Sequence, residues 1–243
     1  GMTRLQELDQ HLAEYDRIAS IAGEMVGDTK GMIMGVGQTL KTAETMARTA
    51  RKAGAEAILL VAPYSNDRNL PGLADYYRRV AGAAEIPVFL YQTKWSGVLE
   101  LELLDMLTDV ENILMVKDEN GSLSHFLNVR MAEPFVPAYW NMGIQTFTSG
   151  LACFMPKVTI DILRLAQAGD FPAINVLLND VIVPLYAIRN RKAGYKCSMI
   201  KAAMELCGLP GGRVRSPLIE MSAEDRSDLD ALLEKTNLKP LVA

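Results

Sequence analysis

Short unbroken apolar runs alternate along this chain with longer stretches in which apolar positions recur every three or four residues. The first pattern is that of strands buried on both faces, and the second that of helices with one buried side. Leu12, Tyr15, Ile18, Ala19, Ala22 and Met25 predict a helix from Leu12 to Val26, ended by Gly27-Asp28-Thr29. Gly31 to Gly35 predicts a strand closed by Val36-Gly37. Thr39 then caps a helix with the small-residue face Ala43, Met46, Ala47, Ala50 and Ala53. The strand Ala57 to Ala62 stops at Pro63, and Leu70 to Ala84 is helical. Ile86 to Tyr91 is a strand with its proline at the entry, where a missing N–H costs least. A helix from Glu100 to Leu107 leads to the strand Ile113 to Val116, which delivers Lys117 to its end.

Downstream the pattern predicts a polar helix from Ser122, a helix from Pro134 to Met142 and a strand from Ile144 to Thr148. Helices follow at Pro156 to Ala168, Phe171 to Arg189 and Ser198 to Cys207. A last one starts at Ser222 with the capping box Ser222…Asp225. Strand and helix alternate about every 25 to 30 residues, the size of one βα unit. The expected fold is α/β: a (β/α)8 TIM barrel over 1–170 with extra C-terminal helices over 171–243 packed on it. A doubly wound open sheet is the alternative.

Composition narrows the function. The chain has 243 residues, 49% of them hydrophobic, enough for one large core. Its net charge of −4 comes without an Arg/Lys stripe, so no nucleic-acid partner is expected. Three cysteines without CxxC spacing and only two histidines, His11 and His125, give little support to a metal site. A reducing cytoplasm is the expected compartment. No apolar run reads as long enough to cross a bilayer and no signal-peptide pattern opens the chain, so no membrane partner is expected. Gly1 ahead of Met2 reads as an expression remnant.

Tyr91 and Lys117 end successive strands, so a parallel sheet would set them side by side on one face. That pairing suits imine chemistry. A buried amine stripped of part of its ammonium solvation can attack a carbonyl, and a neighbouring phenol can carry the protons. Such chemistry needs no metal or organic cofactor, and none is expected. The alternative reading of Lys117 is a solvated lysine just past a strand.

Several segments carry a resemblance. Leu90-Tyr91, Asn112…Lys117-Asp118, Gly35-Val36-Gly37, Gly54-Ala55…Pro63-Tyr64 and Gly212…Val214-Arg215…Pro217-Leu218 resemble the dihydrodipicolinate synthase / N-acetylneuraminate lyase family from about Ala13 to about Leu238. Arg189 to Tyr195 with Ser198 to Ala202, and Ala132-Glu133…Phe135…Ala138-Tyr139, look most like its 5-dehydro-4-deoxyglucarate dehydratase branch. The resemblance implies a (β/α)8 barrel, commonly a homotetramer, with Lys117 as the Schiff-base lysine and Tyr91 as the proton relay.

The departures are specific. Nothing in Gly1 to His11 resembles the family loop that holds a 2-oxo acid's carboxylate, and the first two strands lack counterparts. Between Asn128 and Met131 there are too few residues for the family's seventh strand. Because an open barrel exposes unpaired strand edges, the residues at Arg130–Met131 and within Gly1–Asp9 are expected not to be covalent neighbours in the full protein. Tyr64-Ser65 stands where synthases have two tyrosines, and Gln92-Thr93-Lys94-Trp95-Ser96-Gly97 replaces the family segment after Tyr91.

Weaker signals complete the reading. Gly35-Val36-Gly37 fits a tight turn near substrate rather than a dinucleotide loop. Ser149-Gly150 would contact substrate, as the matching family segment does, or merely turn the chain. Trp95, just past Tyr91, reads as a packing residue or as a wall of the pocket. Arg189, Arg191, Lys192 and Lys196 read as a helix-dipole pairing or subunit contact. The expected function is a Schiff-base lyase, aldolase or dehydratase, acting on a small 2-oxo acid of the keto-deoxy sugar acid class. A non-catalytic binding or regulatory barrel is the alternative, and an unrelated phosphate-binding barrel is a third.

Overall fold

The computed structural model describes residues 4–27, 31–63, 69–93, 96–97, 99–118, 129–130, 133–143 and 145–236. The chain forms two compact units, Gly1–Val129 and Arg130–Ala243.

The first unit alternates helix and strand: α1 (Arg4–Val26), β1 (Ile33–Val36), α2 (Leu40–Lys52), β2 (Ala57–Val61), α3 (Leu70–Ala84), β3 (Val88–Gln92), α4 (Leu101–Asp105) and β4 (Ile113–Asp118). The strands β1 to β4 pair in chain order and all in parallel. The sheet order continues to β5 (Val129–Arg130). The expectation here is that the segment between Asn128 and Met131 is too short for the family's seventh strand, and it holds only these two strand residues. α1 is unbroken across Arg4 to Asp9, where the sequence reading places a chain junction. Gly1–Thr3, Met131 and the polar helix expected from Ser122 lie outside the described residues.

The βαβ order forces parallel pairing, and each helix covers the sheet with its small-residue side. α2 buries Thr42, Ala43, Met46, Ala47 and Ala50; α3 buries Ala74, Tyr76, Tyr77, Val80, Ala81 and Ala84. These pack on the row Val36–Leu60–Leu90, of which no member is more than 3% exposed. Asn69 caps α3, accepting from Gly72 N at 2.8 Å. Thr39 makes no such cap; its hydroxyl lies 2.9 Å from that of Thr42 instead.

The expected (β/α)8 barrel, whose first two strands lack counterparts in this sequence, is represented by a five-stranded sheet, which does not close among the described residues. Nor does Gln145 to Thr148 form the expected strand, apart from a single bridge residue at Phe147. Strand propensity is realised only through pairing, and among the described residues this segment joins no ladder.

The second unit is helical. A short turn at Glu133–Phe135 leads into α5 (Val136–Trp140), followed by α6 (Pro156–Ala168), α7 (Phe171–Leu177), α8 (Val183–Arg189), α9 (Tyr195–Leu206) and α10 (Ala223–Lys235). Between α7 and α8 the helix widens into a π-type turn at Leu178–Ile182. Pro184 explains this, because it cannot donate to the carbonyl four residues back and its ring would collide with it. The resulting stretch Phe171–Arg189 is, by length and composition, long and apolar enough to cross a membrane, which corrects the reading that no such run exists. Its Ile174, Leu178, Ile182, Leu185 and Ile188 lie in the core of this unit, with α6, α9 and α10.

Candidate active site

Asn112 anchors the strand that carries the lysine. Its Nδ2 donates to Ala81 O at 2.9 Å and Ile86 O at 3.0 Å, and its own carbonyl accepts from Val88 N at 2.7 Å. One side chain thus ties the start of β4 to the end of α3 and the entry of β3. The sequence reading quoted Asn112 in a motif but gave it no role.

From this anchor, β3 and β4 run in register with Leu90 opposite Val116 and Tyr91 opposite Lys117. Side chains alternate between sheet faces, so the row Val61–Tyr91–Lys117 faces away from the helix-covered row Leu60–Leu90–Val116. Lys117 is inside β4 rather than past its end and is only 7% exposed. Its Nζ stands 4.0 Å above the centroid of the Tyr91 ring. The negative face of that ring attracts a cationic amine at this range and fixes its direction.

Beyond Tyr91 the chain folds back on itself. Gln92 Oε1 accepts from Leu99 N at 2.6 Å. Ser96 Oγ accepts from Thr93 N at 2.8 Å, and Ser96 N donates to Thr93 Oγ1 at 3.1 Å. Thr93 and Gly97 also form an antiparallel bridge. Gln92, Thr93 and Ser96 are all at least 94% buried, so this polar clamp is built into the strand end. Sequence inspection marked the segment as a departure but could not show its internal bonding. On the neighbouring strand end, the Tyr76 hydroxyl donates to Val61 O at 3.3 Å, and burial pushes that phenol well above its ordinary range.

The other candidates are dispersed. Gly35 lies on the same sheet face as Lys117, in the row Gly35–Leu59–Phe89–Met115, but at the β1 side of the sheet, three strands from β4. A Cβ there would meet nothing within 4 Å. Trp95 lies outside the described residues, as do Lys94, Tyr64, Ser65 and His125. Ser149 and Gly150 belong to the second unit, where Ser149 Oγ accepts from Ala152 N at 3.1 Å and opens a single helical turn at Leu151–Cys153. Their turn role is therefore visible.

Two members of the basic cluster, Arg191 and Lys192, are absorbed by Asp225, the carboxylate of the capping box. Asp225 is 6% exposed and accepts from Ser222 Oγ at 2.7 Å, Arg191 at 2.7 Å, Tyr195 Oη at 2.7 Å and Lys192 at 3.0 Å. Arg191 also pairs with Asp228 at 2.6 Å. Arg191 and Lys192 thus pin α10 to the start of α9 rather than serving a helix dipole. Among the described residues no three His, Cys, Asp or Glu side chains are grouped to hold a metal.

Comparison with known proteins adds independent evidence. Residues 7–236 match the model of the dihydrodipicolinate synthetase family. A protein of Saccharopolyspora erythraea named "Probable 5-dehydro-4-deoxyglucarate dehydratase" is 31% identical over 91% of this chain and 76% of its own. The structure is similar to dihydrodipicolinate synthase from Oceanobacillus iheyensis, with TM-score 0.83 and 23% identity over 94% of this chain and 80% of the other. It is also similar to N-acetylneuraminate lyase from Fusobacterium nucleatum, with TM-score 0.80 and 18% identity over 92% and 80% of the two chains.

Proposed function

The chain belongs to the dihydrodipicolinate synthetase family, and on that premise we propose that it is a lysine Schiff-base lyase acting on a 2-oxo acid of the keto-deoxy sugar acid class. The observation that carries the reading is the buried Lys117 amine held 4.0 Å above the Tyr91 ring on the sheet face that the helices leave free. The relatives named as dehydratases support expulsion of a hydroxyl over cleavage of a carbon–carbon bond. In this reading the fold is that of the (β/α)8 barrel, and the assembly is a homotetramer in the cytoplasm.

The steps follow from the two side chains. Lys117 Nζ adds to the C2 carbonyl, and loss of water gives a protonated imine, with Tyr91 carrying protons to and from the carbinolamine oxygen. The imine draws electrons from C3, so the C3 proton can pass to Tyr91, which delivers a proton to the departing group. The electron pair then expels the hydroxyl on C4, which departs as water once protonated. Hydrolysis of the imine releases product and restores the amine. Gly35 and Trp95 are proposed as substrate contacts.

Borohydride reduction in the presence of pyruvate or a panel of keto-deoxy sugar acids tests the reading. Intact mass is expected to rise by one reduced adduct per chain. No adduct with any member of the panel would overturn it.

A further inference from the structure

A cavity of about 270 Å³ lies within the second unit, between one face of α9, the segment 208–222 and α10. Close backbone approach builds it. A Cβ at Gly211 would stand 2.2 Å from the Lys201 carbonyl oxygen, and Gly212 has φ of +69°. Only glycines let the segment lie this near the helix in this conformation. Lys201 Nζ donates to Gly211 O at 2.8 Å and Gly212 N to Glu205 Oε1 at 3.0 Å, which fastens the segment on α9.

The charged lining is Lys201, Glu205, Arg213, Glu220 and Arg226. Three cations face two carboxylates, so one positive charge is left uncompensated. Both carboxylates are engaged. Glu205 Oε1 accepts from Gly212 N and its Oε2 pairs with Arg226 at 2.9 Å, while one oxygen of Glu220, Oε1, accepts from Val214 N at 2.9 Å. Lys201 keeps donors beyond its bond to Gly211, because an ammonium carries three. Among the described residues the Arg213 side chain has no hydrogen-bond or ion-pair partner.

We propose that this cavity binds a small oxyanion, a carboxylate or a phosphate, through Arg213 and Lys201. A guanidinium fork and an ammonium with spare donors, set in one cavity, are the groups that recognise such oxygens. The volume falls just under the roughly 300 Å³ at which drug-sized pockets begin, which suits a ligand of a few heavy atoms.

Calorimetric titration of the full chain with inorganic phosphate, and separately with succinate, tests this at constant ionic strength with chloride as the control salt. At least one of the two is expected to saturate at one per chain, and which one does so separates phosphate from carboxylate. Arg213→Gln is expected to weaken binding by about tenfold or more, as for loss of a charged hydrogen bond, and Arg213→Lys to bind better than Arg213→Gln. Lys117→Ala is expected to bind as the parent does. Equal binding by the parent and Arg213→Gln, no saturation by either anion at millimolar concentration, or loss of binding in Lys117→Ala would overturn the proposal. None of these outcomes bears on whether Lys117 forms an imine.

Discussion

Tyr91 and Lys117 stand opposite each other in the register of β3 and β4, with the lysine nitrogen 4.0 Å above the phenol ring. Neighbouring strands lie only about 4.8 Å apart, so two directly paired residues on one face start within reach of each other. The contact is thus a product of register rather than of side-chain flexibility. A slip of one residue would turn Lys117 toward the helices.

If that contact defines the reactive lysine, peptide mapping of the borohydride-reduced adduct is expected to place the label on Lys117 alone. Lys201 is engaged with Gly211 in the second unit and should remain unlabelled. Label on Lys201, or a full adduct in Lys117→Ala, would remove Lys117 from the mechanism.

Tyr91→Phe keeps the ring under the amine and removes only the hydroxyl. It is expected to form the trapped imine still, while kcat falls about 100-fold or more, the usual contribution of a proton relay. Unchanged turnover would make Tyr91 a packing partner only.

Asn112→Ala tests the anchor. It strips two carbonyls, Ala81 O and Ile86 O, of their side-chain donor. Ala81 O keeps its backbone bond from Glu85 N at 3.2 Å, so the cost falls on Ile86 O; leaving such a group without its donor costs about 1–3 kcal/mol, and equilibrium urea unfolding is expected to show a loss of that size. A midpoint equal to that of the parent would mean that the strand entry is held by backbone bonds alone.

Acid stability turns on Asp225. Hydrogen bonds from Ser222, Arg191, Tyr195 and Lys192 hold its carboxyl well below the usual carboxylate range. A depressed native value stabilises the fold above the unfolded-state value of about 3.9, and that stability is lost as pH falls toward the native value. Asp225→Asn is therefore expected to melt below the parent at pH 7, with the difference narrowing below about pH 4. Thermal melts from pH 7 to pH 3 read this directly, and a constant difference would contradict it.

Spacing of apolar residues was enough to delimit α3 and α6, because Asn69 with Pro71 and Pro156 with Gly169 mark their ends by local backbone chemistry. It was enough, too, to find β1 to β4 and to set Tyr91 and Lys117 near the ends of adjacent strands, since buried parallel strands leave continuous apolar runs. Resemblance of short motifs, rather than spacing, pointed to the family. Tertiary structure decided the rest. Whether Gln145 to Thr148 pairs as a strand, whether Ser149 turns the chain, and whether Arg191 and Lys192 find Asp225 all depend on which distant segment arrives alongside. A local pattern records what a residue prefers, but a hydrogen bond between residues more than thirty positions apart exists only once the fold brings them together.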